Sequence, residues 1–180
     1  MDRDGVINKD RFDYIKSWSE FEFLSGSLDA LKLLSLNGYQ IILITNQSMI
    51  NRRIASAERL QEIHKKMTAA VVDHGGAIEA IYYCPHAPDE GCSCRKPEPG
   101  LIYQAQGDYG LDLYKTCMIG DSMKDISCAR RAGCGRVILV RTGHGKETEC
   151  LCENSDTKPD YVADDLMAAV KWLLTDLPDC

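Results

Sequence analysis

Ile41-Ile42-Leu43-Ile44-Thr45-Asn46-Gln47-Ser48 begins with four apolar residues and ends in hydroxyls and amides. A short Ile-rich run reads as a buried strand, and its polar end has to meet solvent or a ligand. Helical patterns flank it. Residues 27–37 carry Leu28, Ala30, Leu31 and Leu34, with Ser27 placed as N-cap and Gly38 as stop. Residues 56–74 carry Leu60, Ile63, Met67 and Ala70 and end at Gly75-Gly76. Strand patterns follow at 78–83, 116–119 and 137–140. Helical ones alternate with them at about 99–108, 123–132 and 164–174. This alternation predicts an α/β fold, a doubly wound parallel sheet covered on both faces. Ligands in such sheets bind at the carboxyl ends of the strands. Polar motifs follow Ile44, Tyr83 and Ile119, at those ends.

The chain of 180 residues suits a single domain over 1–180. Its net charge of −6 argues against nucleic acid as the main partner, because phosphate backbones recruit basic surfaces. No apolar run approaches the roughly 20 residues that span a bilayer, and the polar start lacks a signal-peptide core. The expected location is the cytoplasm, with no membrane partner and a monomeric state. Nine cysteines, an odd number, then point to metal binding or burial rather than disulfides.

Asp2-Arg3-Asp4-Gly5-Val6 sets two carboxylates two residues apart before a glycine turn. One can attack phosphorus to give an aspartyl-phosphate. The other can protonate the leaving oxygen and then activate water. An EF-hand loop has similar spacing, but the later acidic ligands do not follow. Thr45 and the amides after it can hold phosphate oxygens. In Arg95-Lys96-Pro97, Lys96 can neutralise the same group. Met118-Ile119-Gly120-Asp121-Ser122-Met123-Lys124-Asp125 places Asp121 at a strand end, where Mg²⁺ needs a carboxylate. Asp125 is placed to orient that ligand. Each residue alone has a plain structural role, such as a turn cap or a solvated charge; four such motifs in order make those roles a poor account of the set.

Cys84-Pro85-His86, then Cys92-Ser93-Cys94 after five residues, supply three thiols and an imidazole in one polar loop. Three Cys and one His match a closed tetrahedral Zn²⁺ site, which leaves no position for water and is therefore structural. The zinc loop spans 84–96 and leads into Arg95-Lys96. Cys117, Cys128 and Cys134 read as core residues. Cys150, Cys152 and Cys180 lack a matching ligand set. His64 and His74 read as exposed helix residues, and His144 as a candidate for the site rim.

In this order the motifs resemble those of the haloacid dehalogenase (HAD) superfamily. The resemblance implies Asp2 as nucleophile, Asp4 as general acid/base, and Thr45 and Lys96 as phosphate stabilisers. It implies Mg²⁺ held by the Asp2 side chain, the Asp4 carbonyl and Asp121, with Asp125 behind them. The intervals 4–45 and 45–96 have no room for an inserted cap domain, so a capless site is expected. The stretches DRDGVIN, DYIKS, ITNQS, YYCPHAPDEGCSCRKPEPG, MIGDS and VRTGHGK resemble the heptose bisphosphate phosphatases within that superfamily, over nearly the whole chain. That family implies a small phosphorylated sugar as substrate, in carbohydrate metabolism leading to lipopolysaccharide. It implies contacts from Asp10, Arg11, Phe12, Asp13, Asn46, Gln47 and Ser48, with Arg95 and Arg52 reading the distal phosphate. Met49-Ile50-Asn51-Arg52-Arg53 departs from the family's Gly-rich turn. Histidinol-phosphate phosphatases share the motifs and are the rival, with Asp13 as the residue a cationic amine would favour.

A strand is expected before a nucleophile at a strand tip, and only Met1 precedes Asp2. The sheet is therefore expected to have a gap at its centre. Two readings stand: a segment lying upstream, or a degenerate domain without catalysis.

Overall fold

The computed structural model describes residues 1–175. Five strands and six α-helices are present among them. They are α1 (Ser27–Leu36), β1 (Ile42–Asn46), α2 (Ala57–Asp73), β2 (Ala80–Cys84), α3 (Gly100–Tyr109), β3 (Cys117–Gly120), α4 (Met123–Ala132), β4 (Arg136–Val140), α5 (Gly145–Glu153), β5 (Tyr161–Ala163) and α6 (Leu166–Thr175).

All strand pairings are parallel. β1 pairs with β2, Thr45 opposite Tyr83, and β3, β4 and β5 form a second ladder in that order. Met1 and Asp2 join the two ladders. The Met1 amine donates to the Ile42 carbonyl at 2.8 Å, and Ile44 N–H donates to the Met1 carbonyl at 2.9 Å. On the other side, Asp2 N–H donates to the Ile119 carbonyl at 2.9 Å. The layer thus reads β2, β1, Met1–Asp2, β3, β4, β5. Below Met1 it opens into a cavity of about 540 Å³, lined by Ile42, Ile102, Cys117 and Met118 among others.

Successive strand residues point to opposite faces, and two cores result. Leu43, Ile119, Ile138 and Val140 pack with α1, α2 and α6. Ile44, Met118, Val137 and Leu139 pack with α3, α4 and α5. This is the doubly wound arrangement, and it sends all parallel strand ends to one edge. Between Asp4 and Thr45 the only α-helix is α1; between Thr45 and Lys96 it is α2. No cap domain is inserted.

Several boundaries differ from expectation. The cap of α1 is Gly26, at φ 75°, rather than Ser27; a left-handed residue suits glycine there. Ser56 caps α2, accepting from Arg59 N–H. The helix α5 and the strand β5 were not anticipated.

Candidate active site

The turn after Met1 carries Asp2 and Asp4. Asp2 accepts the Arg3 N–H at 2.7 Å and lies 2.8 Å from the Lys96 ammonium. Lys96 also lies 2.6 Å from Asp125. It is 2% exposed, and both carboxylates are buried. The Asp125 carboxylate in turn caps α4, accepting from Ser122 N–H at 3.0 Å and from the Ser122 hydroxyl at 2.6 Å. One side chain thus fixes both a helix start and the Lys96 ammonium. Burial opposes the charge on Lys96, but Asp125 and Asp2 outweigh it and hold its pKa above the ordinary value.

Asp121 follows β3 and accepts His144 N–H at 2.8 Å. Glycines enclose its carboxylate. A Cβ on Gly5 or on Gly143 would fall 2.1 Å from Asp121 Oδ2, and both residues have positive φ. Thr142 ties the two loops together by donating to the Gly5 carbonyl at 2.6 Å. Burial, then the charges of Asp2 and Asp125, push the Asp121 carboxyl up to about 8. Burial also raises the Asp2 carboxyl.

Asp2, Asp121 and Asp125 offer oxygens within 4.8 Å of one another. Three buried carboxyl groups share one ammonium, and their burial and crowding are what raise the Asp121 carboxyl; a divalent cation relieves it. The residues therefore fit Mg²⁺, a hard cation that takes oxygen ligands.

Asp4 is held differently. Arg3 grips it through Nε at 3.1 Å and Nη2 at 2.7 and 2.8 Å. Asn8 donates at 2.9 Å and Gln47 at 2.8 Å. Burial raises the Asp4 carboxyl, yet Arg3, Asn8 and Gln47 together bring it below the usual range.

Thr45 is 1% exposed, and its hydroxyl oxygen accepts from Gln47 at 2.9 Å. Its own proton is thereby free to point elsewhere. The Asn46 amide exchanges two 3.1 Å bonds with the Lys96 backbone, tying the end of β1 to the basic pair. Asn46 and Gln47 thus hold Lys96, Asp4 and Thr45 in place as well as lining the pocket. Ser48 meets the Tyr14 hydroxyl at 3.3 Å.

These groups share one pocket of about 680 Å³, lined by Asp2, Asp4, Thr45, Asn46, Gln47, Ser48, Arg95, Lys96 and Asp121. Asp10, Arg11 and Phe12 form part of its mouth, and Phe12 is fully exposed there. His144 lines it too and meets Asp10 at 3.0 Å. Two expected contacts are elsewhere. Asp13 is paired with Arg11 and Lys16 and does not line the pocket. Arg52 is exposed and does not line it either. The cause is local: residues 49–55 form a turn held by Arg52 N–H to the Ser48 carbonyl and by Ile54 N–H to the Met49 carbonyl.

The sequence reading missed Arg3, which is 1% exposed, and misplaced His64, which is buried against it. His74 is exposed as expected, beside Asp29. Cys128 and Cys134 are core residues and Cys117 is half-buried, while Cys150 is exposed and Cys152 buried. Cys180 lies outside the described residues.

A second cluster lies alongside. Cys84 Sγ is 3.5 Å from His86 Nδ1, 3.6 Å from Cys92 Sγ and 3.2 Å from Cys94 Sγ. Cys94 Sγ is 3.2 Å from His86 Nδ1 and 3.5 Å from Cys92 Sγ. A tetrahedral metal with bonds of about 2.0–2.3 Å sets its ligand atoms roughly 3.3–3.8 Å apart. These are the spacings of a metal-ligating set. Arg95 reaches back from the pocket and donates to the His86 carbonyl at 3.0 Å.

The parallel sheet and this carboxylate–lysine edge define a HAD-like hydrolase. The family model described as "HAD-hyrolase-like" matches residues 93–169. The D-glycero-beta-D-manno-heptose-1,7-bisphosphate 7-phosphatase of Bordetella bronchiseptica is 40% identical over 174 residues, 97% of this chain and 96% of the relative. That of Pseudomonas aeruginosa is 42% identical over 176 residues, 97% of this chain and 96% of the relative. The crystal structure of the B. bronchiseptica D,D-heptose 1,7-bisphosphate phosphatase, complexed with magnesium and phosphate, superposes with a TM-score of 0.91 at 39% identity, covering 98% of this chain and 97% of that one. The chain belongs to the family of D-glycero-beta-D-manno-heptose-1,7-bisphosphate 7-phosphatases, and it is a HAD-type phosphatase. The reading of a degenerate, non-catalytic domain gives way to that.

Proposed function

We propose that the chain removes the 7-phosphate of D-glycero-D-manno-heptose 1,7-bisphosphate. The observation that carries this reading is the meeting of Asp2, Lys96, Thr45 and Asp121 in one pocket, in a chain about 40% identical to enzymes named for that reaction. An Asp2 carboxylate oxygen attacks phosphorus, and the bond to the sugar oxygen breaks. In its protonated form, a minor one while Arg3, Asn8 and Gln47 hold the carboxylate, Asp4 gives that oxygen its proton, then takes one from the water that cleaves the aspartyl-phosphate. Lys96 and Thr45 hold the phosphate oxygens. Asp2, Asp121 and the Asp4 carbonyl are the Mg²⁺ ligands, and the bound ion supplies charge neutralisation at the phosphate.

Cys84, His86, Cys92 and Cys94 hold a structural Zn²⁺. Their mutual spacing supports it, and the Arg95–His86 bond gives the metal a function: it fixes Arg95 at the pocket for the second phosphate. Histidinol phosphate is the weaker reading, since Asp13, the carboxylate suited to its amine, is turned to Arg11 and Lys16. On this reading the enzyme works as a cytoplasmic monomer supplying heptose for lipopolysaccharide. No helix among the described residues is long and apolar enough to cross a membrane.

The function is tested by phosphate release with Mg²⁺ from heptose 1,7-bisphosphate and histidinol phosphate side by side. Preference for the heptose supports the assignment. Preference for histidinol phosphate keeps the chemistry and overturns the substrate.

A further inference from the structure

Arg3 stands between the two carboxylates of the catalytic turn, and its side chain is among the largest that are fully enclosed. A guanidinium stays charged at every working pH, so its burial demands partners for its N–H groups. One edge of the fork holds Asp4, as described. On the other, Nη1 meets His64 Nε2 at 3.1 Å.

Arginine can only donate. Nε2 of His64 must therefore be the accepting nitrogen, and the ring proton sits on Nδ1. The surroundings agree, because burial and the neighbouring Arg3 charge hold the imidazole neutral, pressing it to about 3. The ring is also placed firmly. It is on the buried face of α2 with Leu60, Ile63 and Met67, and packs edge-on to Tyr83 with centroids 6.0 Å apart. Asn8 and Gln47 each give Asp4 one bond, whereas Arg3 gives it three. The direction of the Asp4 carboxylate thus depends chiefly on Arg3, and the direction of Arg3 on His64.

We propose that His64 is a positioning residue for the reaction: its neutral imidazole aims the Arg3 fork and through it sets the Asp4 carboxylate facing the leaving oxygen. It touches neither the substrate nor the reacting atoms. The inference rests on Asp4 being the general acid/base of the proposed function. Without an acceptor beside it, Nη1 is a buried unpaired donor, and the guanidinium turns to find another. Glutamine at position 64 restores an acceptor; leucine does not.

The experiment uses the full chain with Mg²⁺ and the variants His64→Leu, His64→Gln, Arg3→Lys and Asp4→Asn. Two substrates separate the roles. The alkyl oxygen of heptose 1,7-bisphosphate leaves only with a proton, whereas the nitrophenolate of p-nitrophenyl phosphate departs without one. The ratio kcat/KM follows the first phosphoryl transfer. We expect His64→Leu to lower kcat/KM on the bisphosphate by about tenfold or more, a part of what general acid catalysis contributes. KM should stay within about twofold and p-nitrophenyl phosphate within about threefold. His64→Gln should recover most of the loss. Arg3→Lys keeps the charge but lacks the fork, and should show the same substrate split even if His64→Leu fails to fold. Equal losses on both substrates, equal losses in His64→Leu and His64→Gln, or no split in Arg3→Lys would overturn the inference. Full activity of Asp4→Asn on the bisphosphate would remove the reading of Asp4 itself. An inactive Asp4→Asn beside an unaffected His64→Leu would overturn the role of His64 alone.

Discussion

The Lys96 ammonium lies 2.8 Å from Asp2 Oδ2, with almost no exposure to solvent. A carboxylate held against a buried cation stays ionised where burial alone would protonate it. Asp2→Asn keeps the shape and removes the attacking oxygen. Turnover should fall by about a thousandfold or more, as when other covalent nucleophiles are removed. Phosphate release by the purified variant, with its melting curve as control, checks this.

Asp121 ties metal binding to pH. Its carboxyl is raised to about 8, so without metal the folded state retains a proton there that the unfolded chain has lost. Folded-state stability in the absence of metal should then fall as pH rises from about 4 through 8. Mg²⁺ competes with that proton, and the Tm gain on adding it should be larger at pH 8 than at pH 6. A gain that is flat or shrinks with pH would contradict the assignment of Asp121 as ligand.

Gly143 has no room for a side chain. Its φ is +56°, and a Cβ would meet Asp121 Oδ2 at 2.1 Å. Gly143→Ala should cost about 1–3 kcal/mol of stability and raise the Mg²⁺ concentration needed for half-maximal rate at least tenfold. A magnesium titration of the activity reads the second effect.

Removal of the clustered thiols should separate folding from recognition. Cys94→Ser is expected to release zinc, measured by elemental analysis, and to destabilise by about 3 kcal/mol or more, equivalent to a Tm drop of roughly 6–12 °C. Arg95→Ala leaves the cluster intact and should lower kcat/KM about 10–100-fold for the bisphosphate, by loss of a charge-assisted contact. A heptose 7-monophosphate should be affected far less. Equal effects on both sugars would place Arg95 outside recognition of the second phosphate.

Much of this was legible in the sequence because periodicity and chemistry coincide. The helix 123–132 was placed to the residue, since a capping serine and a closing glycine bracket it. Strands were placed within a few residues, and their polar ends named groups that meet in one pocket. α5 escaped because its buried side comes down to Gly145, Thr148 and Cys152, which give no apolar rhythm. β5 has three residues, too few for alternation to register. His64 was misjudged although a signal existed. Positions 60, 63, 64, 67 and 71 form one helical face, and a histidine inside that stripe is buried by geometry whatever its polarity. The inward turn of Arg3 has no signature in sequence, because only the folded chain brings α2 beside it.

The pocket mouth, lined by Asp10, Arg11, Phe12 and His144, has a chemical corollary. With no cap domain inserted among the described residues, an acyl phosphate formed on Asp2 by the proposed mechanism stands in reach of bulk water, which far outnumbers any competing sugar hydroxyl. The phosphoryl group is therefore handed to water, and an open doorway biases the protein toward hydrolysis and away from transfer between metabolites.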